Sequence, residues 1–168
     1  MNNIILCGFM GCGKTTVGHW LSRLLSMEYI DLDAEIEQES GLAIPDIFQQ
    51  FGEAYFRDLE HQAVLGIAKR INCVVSTGGG ALTFARNIDA IDSSDTVIFL
   101  DVPFDVCYDR IKDSGRPIVQ SKTTDELHAL YDERRTAYLT AAKHRVNGAL
   151  PAEDAAQAVV SLINQSNR

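Results

Sequence analysis

The sequence predicts an α/β protein, a parallel sheet covered by helices on both faces. Three observations point there. Short apolar runs alternate with amphipathic stretches along the whole chain, and strand–helix repetition of this kind builds parallel sheets. The runs are continuously apolar, as strands buried on both faces require. A glycine-rich segment also stands between the first apolar run and the first amphipathic stretch, where a strand hands over to a helix.

The elements follow in order. Asn3–Cys7 reads as a buried strand and Lys14–Ser26 as a helix. Tyr29–Leu32 is a short strand, and Ala34–Ser40 a helix ended by Gly41. Pro45 suits the first turn of another short helix, which Gly52 ends. Glu53–Arg70 is a longer helix with Phe56, Leu59, Ala63 and Ile67 as its apolar stripe. Cys73–Thr77 and Val97–Asp101 are the third and fourth strands, and Phe104–Lys112 is helical. Asp113–Thr124 has little periodicity and reads as a long surface loop, a common form of functional lid. Thr123 and Glu126 form a capping box that opens a helix to about Ala142. Arg145–Asn147 is a short fifth strand, and Pro151 starts a last helix to about Ile163.

Composition bounds the function. The 168 residues suit one domain, and 46% hydrophobic with 23% charged residues is globular. Acids outnumber Lys and Arg 23 to 15, a net charge of −8. That demotes non-specific nucleic-acid binding and attachment to anionic membranes. The surplus is local. Residues 28–60 hold ten acids and one base, Arg57, while the remainder holds 13 acids and 14 bases. A small anion site therefore stays open. No apolar run is long enough to span a bilayer. Ile4–Met10, broken by Gly8 and without a basic leader, is a poor signal peptide. Cys7, Cys12, Cys73 and Cys107 form no CxxC pair, so free thiols in a reducing cytoplasm are expected, with Cys12 on an accessible loop or merely small.

Gly8–Thr15 fits GxxxxGKT, between a strand and a helix as the motif requires. Glycines let backbone N–H groups turn toward phosphate, and the helix N-terminus adds positive potential. Gly11, Cys12, Gly13, Lys14, Thr15 and Thr16 are the candidate phosphate ligands. Lys14 reaches the terminal phosphates, and the Thr15 hydroxyl can ligate Mg²⁺. The motif points to a nucleoside triphosphate without saying how it is used.

Asp31-Leu32-Asp33 ends the second strand, and alternation would set both carboxylates on one side. One would hold Mg²⁺ through water, and the other would grip or deprotonate an acceptor hydroxyl. The bland reading makes Asp33 a helix N-cap. Asp101, at the end of the fourth strand, rivals Asp31 for the metal. Gly78, Gly79 and Gly80 permit close backbone approach to a ligand. Glu53, Arg57 and Glu60 share one helix face, where Glu53–Arg57 reads as an ordinary surface ion pair. Arg116 lies in the predicted lid, and Arg134 and Arg135 lie on the later helix.

Together these segments resemble the shikimate kinase family. The matching elements are GFMGCGKTTVG (8–18), DLD (31–33), FGEAYFRDLE (51–60), STGGG (76–80), SGRP (114–117) and ERRTAY (133–138). The resemblance implies a three-layer α/β/α fold of the P-loop, nucleoside-monophosphate-kinase-like type, with a five-stranded parallel sheet. It implies one kinase domain over 1–168, with a mobile lid at about 111–124 and an acceptor-binding helical region at about 33–60. It implies transfer of the ATP γ-phosphoryl group to the 3-hydroxyl of shikimate, with Mg²⁺, by a cytoplasmic monomer. Carried over by position, Lys14, Asp33 and Arg116 would be catalytic, and Thr15 and Asp31 would serve the metal. Asp33, Arg57, Gly78, Gly79, Gly80 and Arg134 would bind shikimate, with Arg135 the rival for its carboxylate. Arg110 and Pro151 would sandwich the adenine. A kinase of another small hydroxy acid, such as gluconate, and a non-catalytic nucleotide-binding homologue are the alternatives.

Overall fold

The computed structural model describes residues 2–166. Five strands, β1 (Ile4–Cys7), β2 (Glu28–Asp31), β3 (Cys73–Ser76), β4 (Thr96–Asp101) and β5 (His144–Asn147), form one parallel sheet in the order β2-β3-β1-β4-β5. The register is fixed by pairs such as Leu6 with Ser76, Cys7 with Phe99, and Asp31 with Ser76. β1 is central and wholly buried, which is why its residues form an unbroken apolar run.

Around the sheet lie α1 (Lys14–Leu25), α2 (Leu32–Ser40), α3 (Ile44–Phe51), α4 (Glu53–Ile67), α5 (Ala85–Asp89), α6 (Phe104–Ile111), α7 (Pro117–Gln120), α8 (Thr124–Ala141) and α9 (Ala152–Ser166). The strand order decides which face each helix takes. The chain leaves β1 toward the β2 edge, then every later strand is added in the opposite direction. Right-handed crossovers therefore place α1 on one face and the intervening helices on the other. The last helix, α9, returns to pack along α1. The reversal occurs between β1 and β3, so the loops after these two strands diverge and open a crevice.

Several boundaries differ from the sequence reading. β2 ends at Asp31, and Leu32 already begins α2. The Asp31 side chain caps that helix by accepting the Ala34 N–H at 3.2 Å. The expectation of Asp33 as N-cap is thus corrected to Asp31, and strand alternation does not align the two carboxylates. The long loop predicted at Asp113–Thr124 contains the short helix α7, started by Pro117. The 3-10 turn Ala81–Thr83 and α5 carry too little periodicity to be expected. On α4 the buried face is Phe56, Arg57, Glu60, Val64 and Ile67, not a purely apolar stripe. Leu59 and Ala63 are partly buried against a small second cluster of Ile36, Ile47 and Phe56. The capping box at Thr123 and Glu126 forms as expected. All four cysteines are free and buried, so Cys12 is not an accessible thiol. No helix of the described residues is long and apolar enough to cross a membrane.

Candidate active site

The loop between β1 and α1 wraps the N-terminus of α1. Gly13 takes φ 94° at the helix cap, a left-handed conformation that side chains resist. A Cβ on Gly11 would lie 2.8 Å from Ile111 Cγ2 and 3.0 Å from the Cys107 carbonyl oxygen. The glycines thus let the loop press against α6. The Lys14 ammonium bends over the loop and donates to the carbonyl oxygens of Gly8 at 2.7 Å and Phe9 at 3.2 Å. Arg110 of α6 ties down the same loop, donating to the Gly11 carbonyl at 2.8 Å.

This loop forms one wall of a cavity of about 810 Å³. Residues 11–16, Asp31, Asp33, Arg110, Arg116 and the 148–152 segment with Pro151 all line it. A second cavity of about 490 Å³ lies between α2, α4 and the loop after β3. Arg57, Glu60, Gly80 and Arg134 line the second cavity alone. Met10, Asp31, Asp33, Gly78, Gly79 and Arg116 line both. The two spaces meet across the Asp31/Asp33 corner.

That corner is electrostatically tense. Asp33 Oδ1 is buried and has no hydrogen-bond partner among the described residues. Burial, reinforced by neighbouring Asp31, holds the Asp33 carboxyl above the usual aspartate range, against the pull of Lys14, Arg116 and Arg57. Gly78 keeps the space open. A Cβ there would stand 2.8 Å from Asp33 Oδ1 and 3.1 Å from Glu60 Oε2.

Arg57 is 7% exposed, so the surface-pair reading is corrected. Its guanidinium donates to Glu60 Oε1 at 2.9 Å and to Glu53 Oε1 at 3.3 Å, and lies over the Phe84 ring at 5.2 Å. Glu60 is 1% exposed, and burial raises its carboxyl despite Arg57 beside it. Gly80 is held beneath Arg57, because a Cβ would come within 2.6 Å of Arg57 Nη1. Arg134 is also 7% exposed, and burial lowers its guanidinium from the ordinary value. Its helix neighbour Tyr138 donates to the Gly79 carbonyl and so fixes the glycine loop.

The rival residues lie elsewhere. Arg135 forms a two-point contact with Asp101, at 3.1 Å from Nε and 2.7 Å from Nη2. Both line a separate pocket with Arg145 and Tyr131. Neither lines either of the two joined cavities.

Sequence reading placed Glu60 on the face of Arg57 but gave it no role in the site, and it missed Met10, Tyr138 and the hydroxyls beneath the phosphate loop. Glu60 carried a signal, the i, i+3 spacing from Arg57, but charged helix positions read as solvent-facing. Beneath the loop, the Tyr29 hydroxyl donates to Ser76 Oγ at 3.1 Å, and Ser76 donates to the Lys14 carbonyl at 3.2 Å. Burial raises the Tyr29 hydroxyl, offset by hydrogen bonding with Ser76 and Thr15.

Comparison with known proteins decides the family. The family model for shikimate kinase matches residues 10–164. The chain belongs to the shikimate kinase family. Among its shikimate kinase relatives, the protein of Aquifex aeolicus is 39% identical over 157 residues, covering 94% of this chain and 93% of that one. The shikimate kinase of Macrococcus caseolyticus is 39% identical over 160 residues, covering 95% of each. Among solved structures, shikimate kinase from Acinetobacter baumannii in complex with shikimate superposes with a TM-score of 0.90 at 35% identity. That match covers 99% of this chain and 94% of the other. A deoxyadenosine kinase at 15% identity and TM-score 0.62 shares the fold. The five-stranded parallel sheet and its phosphate loop are thus those of a shikimate kinase, with the P-loop kinase architecture expected from the sequence.

Proposed function

We propose that this chain transfers the γ-phosphoryl group of ATP to the 3-hydroxyl of shikimate, giving shikimate 3-phosphate and ADP. One observation carries the reading: two cavities, one walled by a phosphate loop and one by buried arginines, share the Asp31/Asp33 corner. A polyhydroxylated carboxylate needs cationic forks at one end and an anionic acceptor at the other. Arg57 and Arg134 supply the forks. Asp33 supplies the acceptor, and the Gly78–Gly80 backbone allows close approach.

In this reading the loop amides from Gly11 to Thr16 and the Lys14 ammonium hold the ATP phosphates. Arg116, on the lid at about 111–124, adds positive charge where the transferring group becomes exposed. Arg110 and Pro151 flank the adenine. Asp33 holds the 3-hydroxyl and accepts its proton as the oxygen attacks the γ-phosphorus. Its elevated pKa makes it a better base than an ordinary aspartate. Arg134, not Arg135, meets the shikimate carboxylate, because Arg135 is committed to Asp101.

The donor set fits magnesium. Asp31 Oδ1 serves the helix cap, leaving Oδ2 for a metal or its water, and the Thr15 hydroxyl lines the same cavity. Magnesium favours such sites, with one or two protein oxygens and the rest water and phosphate. When bound, it would neutralise charge on the phosphate oxygens. Arg135 keeps Asp101 occupied, so Asp31 is the metal carboxylate. We further propose a single kinase domain with its acceptor region at about 33–60, acting as a cytoplasmic monomer without nucleic-acid or membrane partners.

A panel assay tests the reading. Purified protein with Mg-ATP should release ADP with shikimate and form a phosphorylated acid, and gluconate should give none. Turnover of gluconate without shikimate would replace the acceptor. No phosphorylated product from any acid would make the chain a non-catalytic homologue.

A further inference from the structure

Four successive carbonyls in the turn after β3 each accept a hydrogen bond. Gly78 takes the Ala81 N–H at 3.1 Å, and Gly79 takes the Tyr138 hydroxyl. Gly80 takes the Thr83 hydroxyl at 2.7 Å. Ala81 takes the side-chain amide of Asn87, on α5, at 2.8 Å. A peptide unit is planar, so holding a carbonyl also aims the N–H that follows it. Asn87 is 1% exposed, and both ends of its amide are engaged. Nδ2 faces the Ala81 carbonyl, so Oδ1 faces His61 Nδ1, at 2.7 Å. An amide oxygen only accepts, so His61 Nδ1 carries the proton.

His61 lies one turn beyond Arg57 on the same face of α4. The two side chains meet adjoining points of one loop: Arg57 stands against Gly80, and His61 reaches Ala81 through Asn87. The Asn87 backbone N–H also donates to the Phe84 carbonyl at 3.0 Å, and the Phe84 ring lies against the Arg57 guanidinium. With Arg57 and the glycine loop read as shikimate ligands, on which this rests, we propose that Asn87, braced by His61, is a positioning residue for the acceptor. It sets the spacing between the Arg57 fork and the Gly78–Gly80 backbone. Asn87 lines neither cavity and acts only through these neighbours. The same two helices are also joined at the surface by Arg86 and Asp58, 2.9 Å apart. An exposed pair of that kind contributes little, so it serves as the control.

The test is calorimetric titration of shikimate and, separately, of Mg-ADP into the wild-type chain and its variants, with a thermal melt of each. Asn87→Ala should bind shikimate about five- to tenfold more weakly, the worth of one hydrogen bond, with Mg-ADP within about twofold. Asn87→Asp keeps the shape but sets an oxygen against the Ala81 carbonyl, and should lose as much. His61→Ala, at a partly exposed position, should weaken shikimate by a smaller factor and decides the matter if the Asn87 variants do not fold. Arg86→Ala should change neither affinity. Lower melting temperatures with unchanged shikimate affinity would mean a purely structural role and overturn the inference, as would equal weakening of both ligands. Arg57→Ala keeps the two readings apart. If it loses shikimate while the Asn87 and His61 variants do not, the inference alone falls. If it binds shikimate as the wild type does, the reading of Arg57 falls and the inference with it.

Discussion

At Asp33, use and stability conflict. Its folded-state pKa lies above the ordinary aspartate value, mainly through burial. Such a group stabilises the fold fully below its unfolded pKa, and that contribution is lost as pH rises through the folded pKa. At neutral pH the ionised Asp33 is therefore a burden. Asp33→Asn should melt higher than the parent at pH 7, and the gap should close as pH falls toward about 4. The same substitution should lower kcat by about 10²–10⁴-fold, the usual worth of a positioned base. Thermal melts across pH and a steady-state assay check both halves, and a lower melting point at pH 7 would contradict the first. Arg135 offers the contrast. Its guanidinium is paired with Asp101 outside both cavities, so Arg135→Ala should leave KM for shikimate within about twofold, whereas Arg134→Ala should raise it by about tenfold or more.

At the scale of elements, the sequence was most readable where local chemistry acts alone. Pro45, Gly41 and Gly52 mark helix ends, and Thr123 with Glu126 gives the capping box found on α8. Thr123→Ala should cost about 1 kcal/mol and lower the melting point by about 2–4 °C, without changing KM for either substrate. Readability failed where tertiary burial overrides local signals. Arg57 reads as the partner of Glu53 in a surface ion pair because nothing nearby in sequence announces Phe84 or the glycine loop packed against it. The DLD segment failed differently: the strand is read to Leu32 and the helix from Ala34, but the helix begins two residues sooner, at Leu32, so a cap and not the pleat orients Asp31. The glycine loop after β3 was legible as a place of close approach, but at Gly80 the group that approaches is the chain's own Arg57. Gly80→Ala would push a methyl into Arg57. It should raise KM for shikimate by about tenfold or more while KM for ATP stays nearly constant.

For the whole molecule, the strand order places one cavity on each side of a single carboxylate corner, and the two should be separable. Arg57→Ala should abolish shikimate binding while leaving ATP binding largely intact, as titration with each ligand would show. The change also strands the buried Glu60 carboxylate, at a cost of about 3 kcal/mol, and adding Glu60→Gln should recover much of the melting temperature without restoring shikimate binding. Equal loss of both ligands in the double variant would argue for one merged site. The central position of β1 has a further consequence, for synthesis. Its partners are β3, some seventy residues later, and β4, later still. A nascent chain therefore holds its most apolar strand, and the loop that will grip phosphate, unpaired until both have emerged. Non-local pairing of this kind slows folding and exposes sticky intermediates. Ribosome-bound chains halted before Cys73 should be protease-sensitive and prone to capture by chaperones, while those extended past Asp101 should resist digestion at β1.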